Sequence, residues 1–143
     1  MEELFELRKH IEQGNYTAAM ALLGEMEEMS RDDKINKIGS LIEILILHII
    51  KQQAEQRSAR SWEVSIRNAL DNIEDINKRR KSGGYYLDKA ELEQIIAERY
   101  LRALRRASLE VYEGRFDASE LAEKIDAEKI RLESLNLIFE SRK

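Results

Sequence analysis

Leu41-Ile-Glu-Ile-Leu-Ile-Leu-His-Ile-Ile50 is the stretch that decides the fold: of its residues only Glu43 and His48 are not plainly apolar. Ile35, Ile38, Leu41, Ile42, Leu45 and Ile49 make one face at helical spacing, and Ile44, Ile46, Leu47 and Ile50 fill most of the remainder. A helix apolar nearly all round is a buried helix. A membrane-spanning helix needs about 20 apolar residues, twice this run. Lys37, Glu43 and Lys51 also lie inside or beside it. The pattern predicts a central core helix wrapped by others, and no membrane span. Each large side chain it buries contributes roughly 1.5–3 kcal/mol on the transfer scale, so this segment carries a leading share of the stabilising free energy.

Upstream, the spacing predicts a helix over about 2–13 that turns Leu4, Phe5, Leu7 and Ile11 toward a core and stops at Gly14-Asn15. Asn15 can cap the next helix, whose Ala18, Ala19, Leu22, Leu23 and Met26 allow close approach, so residues 1–29 read as a hairpin. It resembles one tetratricopeptide-type hairpin, but no second copy follows at a period near 34 residues, which excludes a repeat array. Ser30 with Asp33 has the form of a capping box, so a fresh helix is expected to start there and continue through the apolar core.

Downstream, Trp62, Ile66, Ala69, Leu70, Ile73 and Ile76 form an amphipathic stripe capped at Ser58 or Ser61. Its end, Lys78-Arg79-Arg80-Lys81, precedes Ser82-Gly83-Gly84, placing cations near the helix carboxyl end and glycine where a left-handed residue is wanted. Asp88 and Glu91, flanked by Leu87 and Leu92, give a capping box with a hydrophobic staple, so a long helix should span about 89–113. Phe116, Asp117, Glu120 and Leu121 repeat the device and open the C-terminal helices, about 118–140. Two-residue alternation is sustained nowhere. The expected fold is all-α: a single domain, an antiparallel bundle of about five to seven helices around the buried one.

The chain has 143 residues, a length that fits one domain. It contains no cysteine, which excludes disulfides, thiolate chemistry and cysteine zinc sites. Met1-Glu2-Glu3-Leu4 lacks the basic start and apolar stretch of a signal peptide, so a cytoplasmic protein is expected. Net charge is -4, unevenly spread: residues 1–56 carry 6 basic and 11 acidic groups, residues 57–106 carry 12 and 8, and residues 107–143 carry 6 and 9.

At Ile44 to Lys51, followed by Arg57-Ser58-Ala59-Arg60-Ser61-Trp62, the chain resembles the largely cyanobacterial domain-of-unknown-function family numbered twenty-nine. The resemblance lies in a leucine-rich helix ending in His-x-x-Lys, a short basic serine stretch and a tryptophan. His48, Lys51, Arg57, Arg60, Ser61 and Trp62 occupy those positions, and Glu25 to Ser30 is similar to the family's acidic lead-in. It implies an all-helical bacterial protein without an assigned activity, and supplies no mechanism.

Glu43, His48, Lys51, Arg57, Arg60, Ser61 and Trp62 are the candidate core polar residues. His48 interrupts the most apolar run, so it is either a hydrogen-bonded structural histidine or a tuned acid, base or ligand. Glu43 is about 140 degrees around the helix from it, so the two cannot form a dyad. Glu43 needs a basic partner, with Arg60, Arg67 or an arginine of the long helix as candidates. Metal chemistry is not expected, because only His10 and His48 are available and neither has glutamate three residues before it. Phosphate-loop, dinucleotide and serine-elbow patterns are also missing, so no cofactor is expected.

Lys78, Arg79, Arg80 and Lys81, with Arg99, Arg102 and Arg106 on one helix face, make the candidate nucleic-acid surface. Leu132, Leu135, Ile138 and Phe139 near the chain end make a candidate protein interface, as does the acidic hairpin. Three function classes stay open. The first is a non-enzymatic module that binds a protein partner or itself; the second is weak nucleic-acid association; the third is an enzyme centred on His48.

Overall fold

The computed structural model describes residues 2–79 and 82–142. Among them stand α1 (Glu2–Glu12), α2 (Tyr16–Glu55), α3 (Arg60–Asn77), α4 (Lys89–Glu110), α5 (Ala118–Ala122) and α6 (Ala127–Glu140), with a short 3-10 turn at Val111–Gly114. An isolated antiparallel bridge joins Lys78 to Tyr85. The fold is an all-α helical bundle, as the periodicity predicts. The chain divides into two compact units, Met1–Asn36 and Lys37–Lys143.

In the first unit α1 and the start of α2 form the expected hairpin. Gly14 takes φ +74, a conformation open to a residue without a β-carbon. The turn closes as the N–H groups of Gly14 and Asn15 donate to Ile11 and His10. Asn15 Oδ1 accepts from the Ala18 N–H at 3.3 Å and caps α2. Two expectations fail. α1 buries no residue: Leu4, Phe5 and Ile11 are 48%, 69% and 50% exposed. Among described residues up to Asn36, only Ala19 is buried. Nor does Ser30 begin a helix, since α2 passes through it unbroken. Glu25 to Glu28 and Arg31 to Lys34 hold no glycine or proline, and Ser30, Asp32 and Asp33 sit at exposed positions within the continuing helix.

The second unit holds the core. Ile38, Ile42, Leu45, Ile46, Ile49 and Ile50 have no exposed surface, so the run read as central is central. α2 ends where Gln56 adopts φ +50. α3 then starts without the expected serine cap. Ala59 occupies the cap position with no side-chain bond, while Ser58 Oγ accepts from Gln52 Nε2 at 2.9 Å. α3 ends at Asn77, ahead of the basic run. Gly83 and Gly84, both left-handed, therefore turn a loop and do not cap a helix. The Arg79 N–H donates to Gly84 O, and Tyr86 N–H to Asn77 O. Asn77 is buried and its Oδ1 accepts from the Leu87 N–H at 2.9 Å, fixing the approach to α4.

Both capping boxes form. Asp88 pairs with Glu91 at the start of α4, with Leu87 and Leu92 buried beside them, and Asp117 pairs with Glu120 at α5. α4 stops at Glu110, short of Gly114, because Tyr112, Glu113 and Gly114 all take left-handed angles. Asp126 Oδ1 accepts from the Lys129 N–H and opens α6. α4 packs against α5 and α6, and α3 against α6.

Candidate functional site

The core half of α2 carries a row of polar groups that meets α4. Glu43 comes first, its side chain only 7% exposed. Arg106 Nη1 donates to Glu43 Oε2 at 2.8 Å, and Arg99 Nη1 and Arg102 Nε stand 3.5 and 3.7 Å from Oε1. The expected basic partner therefore comes from α4. Gly39, one turn earlier on α2, makes room: a β-carbon there would lie 2.7 Å from Arg99 Nε. One carboxylate faces three guanidiniums, so burial of Glu43 is compensated and local positive charge is left over.

His48 is half-buried, and its Nδ1 is sealed from solvent without a hydrogen-bond partner among the described residues. Burial pushes its pKa down to about 4, Lys51 and Arg106 act in the same direction, and Glu110 opposes them. The imidazole is neutral at neutral pH.

Beyond His48 the polar row closes the end of the helix. Buried Lys51 pairs with Glu110 at 3.0 Å, and its ammonium lies 5.8 Å from the centre of the Trp62 ring. Arg57 stacks over that same ring at 4.6 Å and pairs with Glu55 at 2.9 Å. Glu55 Oε2 in turn accepts from the Tyr112 N–H, and the Tyr112 hydroxyl donates to Ala54 O. Tyr112 meets Phe116 edge to face at 5.4 Å. Left-handed Tyr112 and Glu113 carry backbone strain that glycine would not, and the bonds made by Tyr112 hold that turn against the end of α2.

His48, Lys51, Arg57 and Trp62, distant from the termini in sequence, thus gather where α2, α3 and α4 meet. The family model described as Domain of unknown function DUF29 matches residues 7–132. The chain belongs to this family. Nothing among curated proteins or solved structures matches it.

In this DUF29 chain the remaining motif residues lie elsewhere. Arg60 and Ser61 are exposed and are not core polar groups: Trp62 takes the inward position of the first α3 turn, and its neighbours are rotated away from it. Arg57, also exposed, contributes through its stack on Trp62. Of the basic face, Arg99, Arg102 and Arg106 converge on Glu43, Lys78 bridges to Tyr85, and Arg79 stacks on Tyr86. Arg80 and Lys81 lie outside the described residues.

The C-terminal interface is corrected. Leu135 and Ile138 are buried, because with Ile130 and Ser134 they form the inward face of α6. Leu132 is 59% exposed, and Phe139 is half-buried under the Arg142 guanidinium, which also stacks on Tyr85 at 3.7 Å. Leu132 and Leu135 line, with Arg131, Glu93, Ile96 and Ala97, a depression of about 240 Å3 between α4 and α6.

Reading the sequence missed Glu110, Glu55 and Tyr112. The available signal was Lys51, a cation at the end of an apolar helix that needs a counter-charge. Chemically, the DUF29 row offers ion pairs and cation-π contacts that clasp three helices. Among the described residues no cluster of three or more histidine or carboxylate groups could hold a metal, and no helix is long and apolar enough to cross a membrane.

Proposed function

We propose that this protein is a non-enzymatic interaction module whose α1–α2 hairpin is completed by a partner surface that is both basic and apolar. The observation that carries this reading is the bareness of the hairpin: among its described residues up to Asn36, only Ala19 is buried. Ordering each residue costs about 1–2 kcal/mol in backbone entropy, which over the hairpin exceeds what one buried alanine and eight half-covered side chains offset. A docked surface over Leu4, Phe5, Ile11, Tyr16 and Met20 would supply the missing burial.

Charge selects the kind of surface. Met1–Asn36 holds nine acidic and four basic side chains, a net of -5. An acidic apolar face is matched by a cationic apolar one, which steers encounter and disfavours acidic partners.

The test is amide hydrogen exchange on the full chain, with and without a synthetic helical peptide that carries leucine and arginine along one face. The peptide is expected to protect amides of residues 2–36 and to lose its effect as salt rises. Equal protection by a peptide with glutamate in place of arginine would overturn the reading. So would protection of residues 2–36, without peptide, as strong as that of α2 beyond Lys37.

A further inference from the structure

We propose that the surface that covers the hairpin is the outer face of α4 on a second copy of this chain, an inference that rests on the interaction-module reading. α4 buries Leu92, Ile95, Ile96, Ala103, Leu104 and Ala107 on one side. Its opposite side is a stripe at helical spacing, Gln94, Glu98, Leu101, Arg105 and Leu109, with Arg102 at its edge, every member exposed.

Leu101 and Leu109 are 51% and 77% exposed, about 12 Å apart along the stripe at 1.5 Å per residue. Arg102 and Arg105 lie between them, Arg106 flanks them, and no acidic residue occurs from Leu101 to Leu109. The face therefore has the two properties the hairpin asks for. The cations are also concentrated: Lys37–Lys143 as a whole carries 20 basic and 19 acidic side chains. Arg102 leans toward the buried Glu43 carboxylate and is partly pre-ordered, which lowers the entropy lost on docking.

Two alternatives fit less well. Hairpin packed on hairpin would bring two units of -5 together. One hairpin on one α4, repeated head to tail, would leave open ends. Reciprocal exchange, each copy giving a hairpin and receiving one, closes as a two-fold dimer.

The test uses the absence of cysteine: Gln94→Cys gives a single site for a spin label, exposed at the start of the stripe. Spin-labelled chain at natural isotope abundance is mixed with unlabelled 15N chain. Signal loss is expected at amides of residues 2–20 in the 15N copy, together with a dimer mass by light scattering that falls several-fold in population as salt rises. Arg105→Glu, which does not touch Glu43, should abolish both effects and leave the helical circular dichroism unchanged.

A monomer at the highest soluble concentration would overturn the inference, as would signal loss confined to α4 of the 15N copy or a dimer untouched by Arg105→Glu. If the chain stays monomeric while the arginine peptide still protects residues 2–36, only the identity of the partner falls. If neither occurs, the interaction-module reading falls with it.

Discussion

Arg106 and Glu43, 63 residues apart in the chain, share a 2.8 Å hydrogen bond that ties α4 to the most apolar stretch of α2. Arg99 and Arg102 approach the other oxygen of the same carboxylate. The three arginines differ in their access to water, with side-chain exposures of 22% for Arg99, 68% for Arg102 and 48% for Arg106.

Glu43→Gln leaves Arg99 without its counter-ion in a mostly dry position. Breaking a buried pair costs about 3–5 kcal/mol, and hydration of Arg102 and Arg106 should reduce this to about 2–3 kcal/mol. Arg102→Ala should cost about 1 kcal/mol or less. Urea denaturation measures both, and equal losses would contradict the inequality argued from exposure.

Gly39→Ala pits helix propensity against Arg99. Alanine gains roughly 1 kcal/mol over glycine within a helix, while its β-carbon must displace a guanidinium that would sit at 2.7 Å. Stability should therefore change little in the natural chain. In an Arg99→Ala background the same substitution should stabilise by roughly 1 kcal/mol. Thermal melts of the four chains give the coupling directly, and simple additivity would remove Arg99 as the reason for glycine.

His48 makes stability fall in mild acid. Its folded pKa of about 4 lies below the ordinary 6.5, so the unfolded chain takes up the proton first. The contribution is complete above pH 6.5, declines below it and is spent near pH 4. For a half-buried ring, discounted for water, it amounts to about 1–2 kcal/mol. His48→Gln should flatten the difference between pH 7 and pH 5, and parallel curves for the two chains would rule the effect out.

On α6, Leu135→Ala should cost about 2–4 kcal/mol, because it empties a buried site. Leu132→Ala, on the exposed side, should stay within about 0.5 kcal/mol. Reversed sizes in denaturant titrations would mean that α6 is turned the other way.

What could be read from sequence was local. The capping boxes at Asp88 and Asp117 form because every partner lies within three residues, and Ile38, Ile42, Leu45, Ile46, Ile49 and Ile50 are buried because no orientation of so apolar a helix presents a polar face to water. Ser30 to Asp33 has nearly the same local pattern, yet a capping box starts a helix only where the preceding chain has left helical geometry, and Glu25 to Met29 has not. The stripes of α1 and α6 posed a different problem. An amphipathic face states that cover is needed without naming what covers it, so Leu4 and Leu135 look alike in sequence and differ in burial. Lys51 demanded an anion, but only the packing of helices 59 residues apart could select Glu110.

The unbroken course of α2 through Ser30 has a kinetic meaning. Starting a helix is unfavourable by a factor of roughly 10⁻³, whereas adding a turn to an existing one is nearly neutral. Lys37 to Glu55, held by the core, acts as a permanent nucleus, so residues Tyr16 to Asn36 can wind and unwind by propagation alone. Capturing the hairpin would then require no fresh nucleation event in α2.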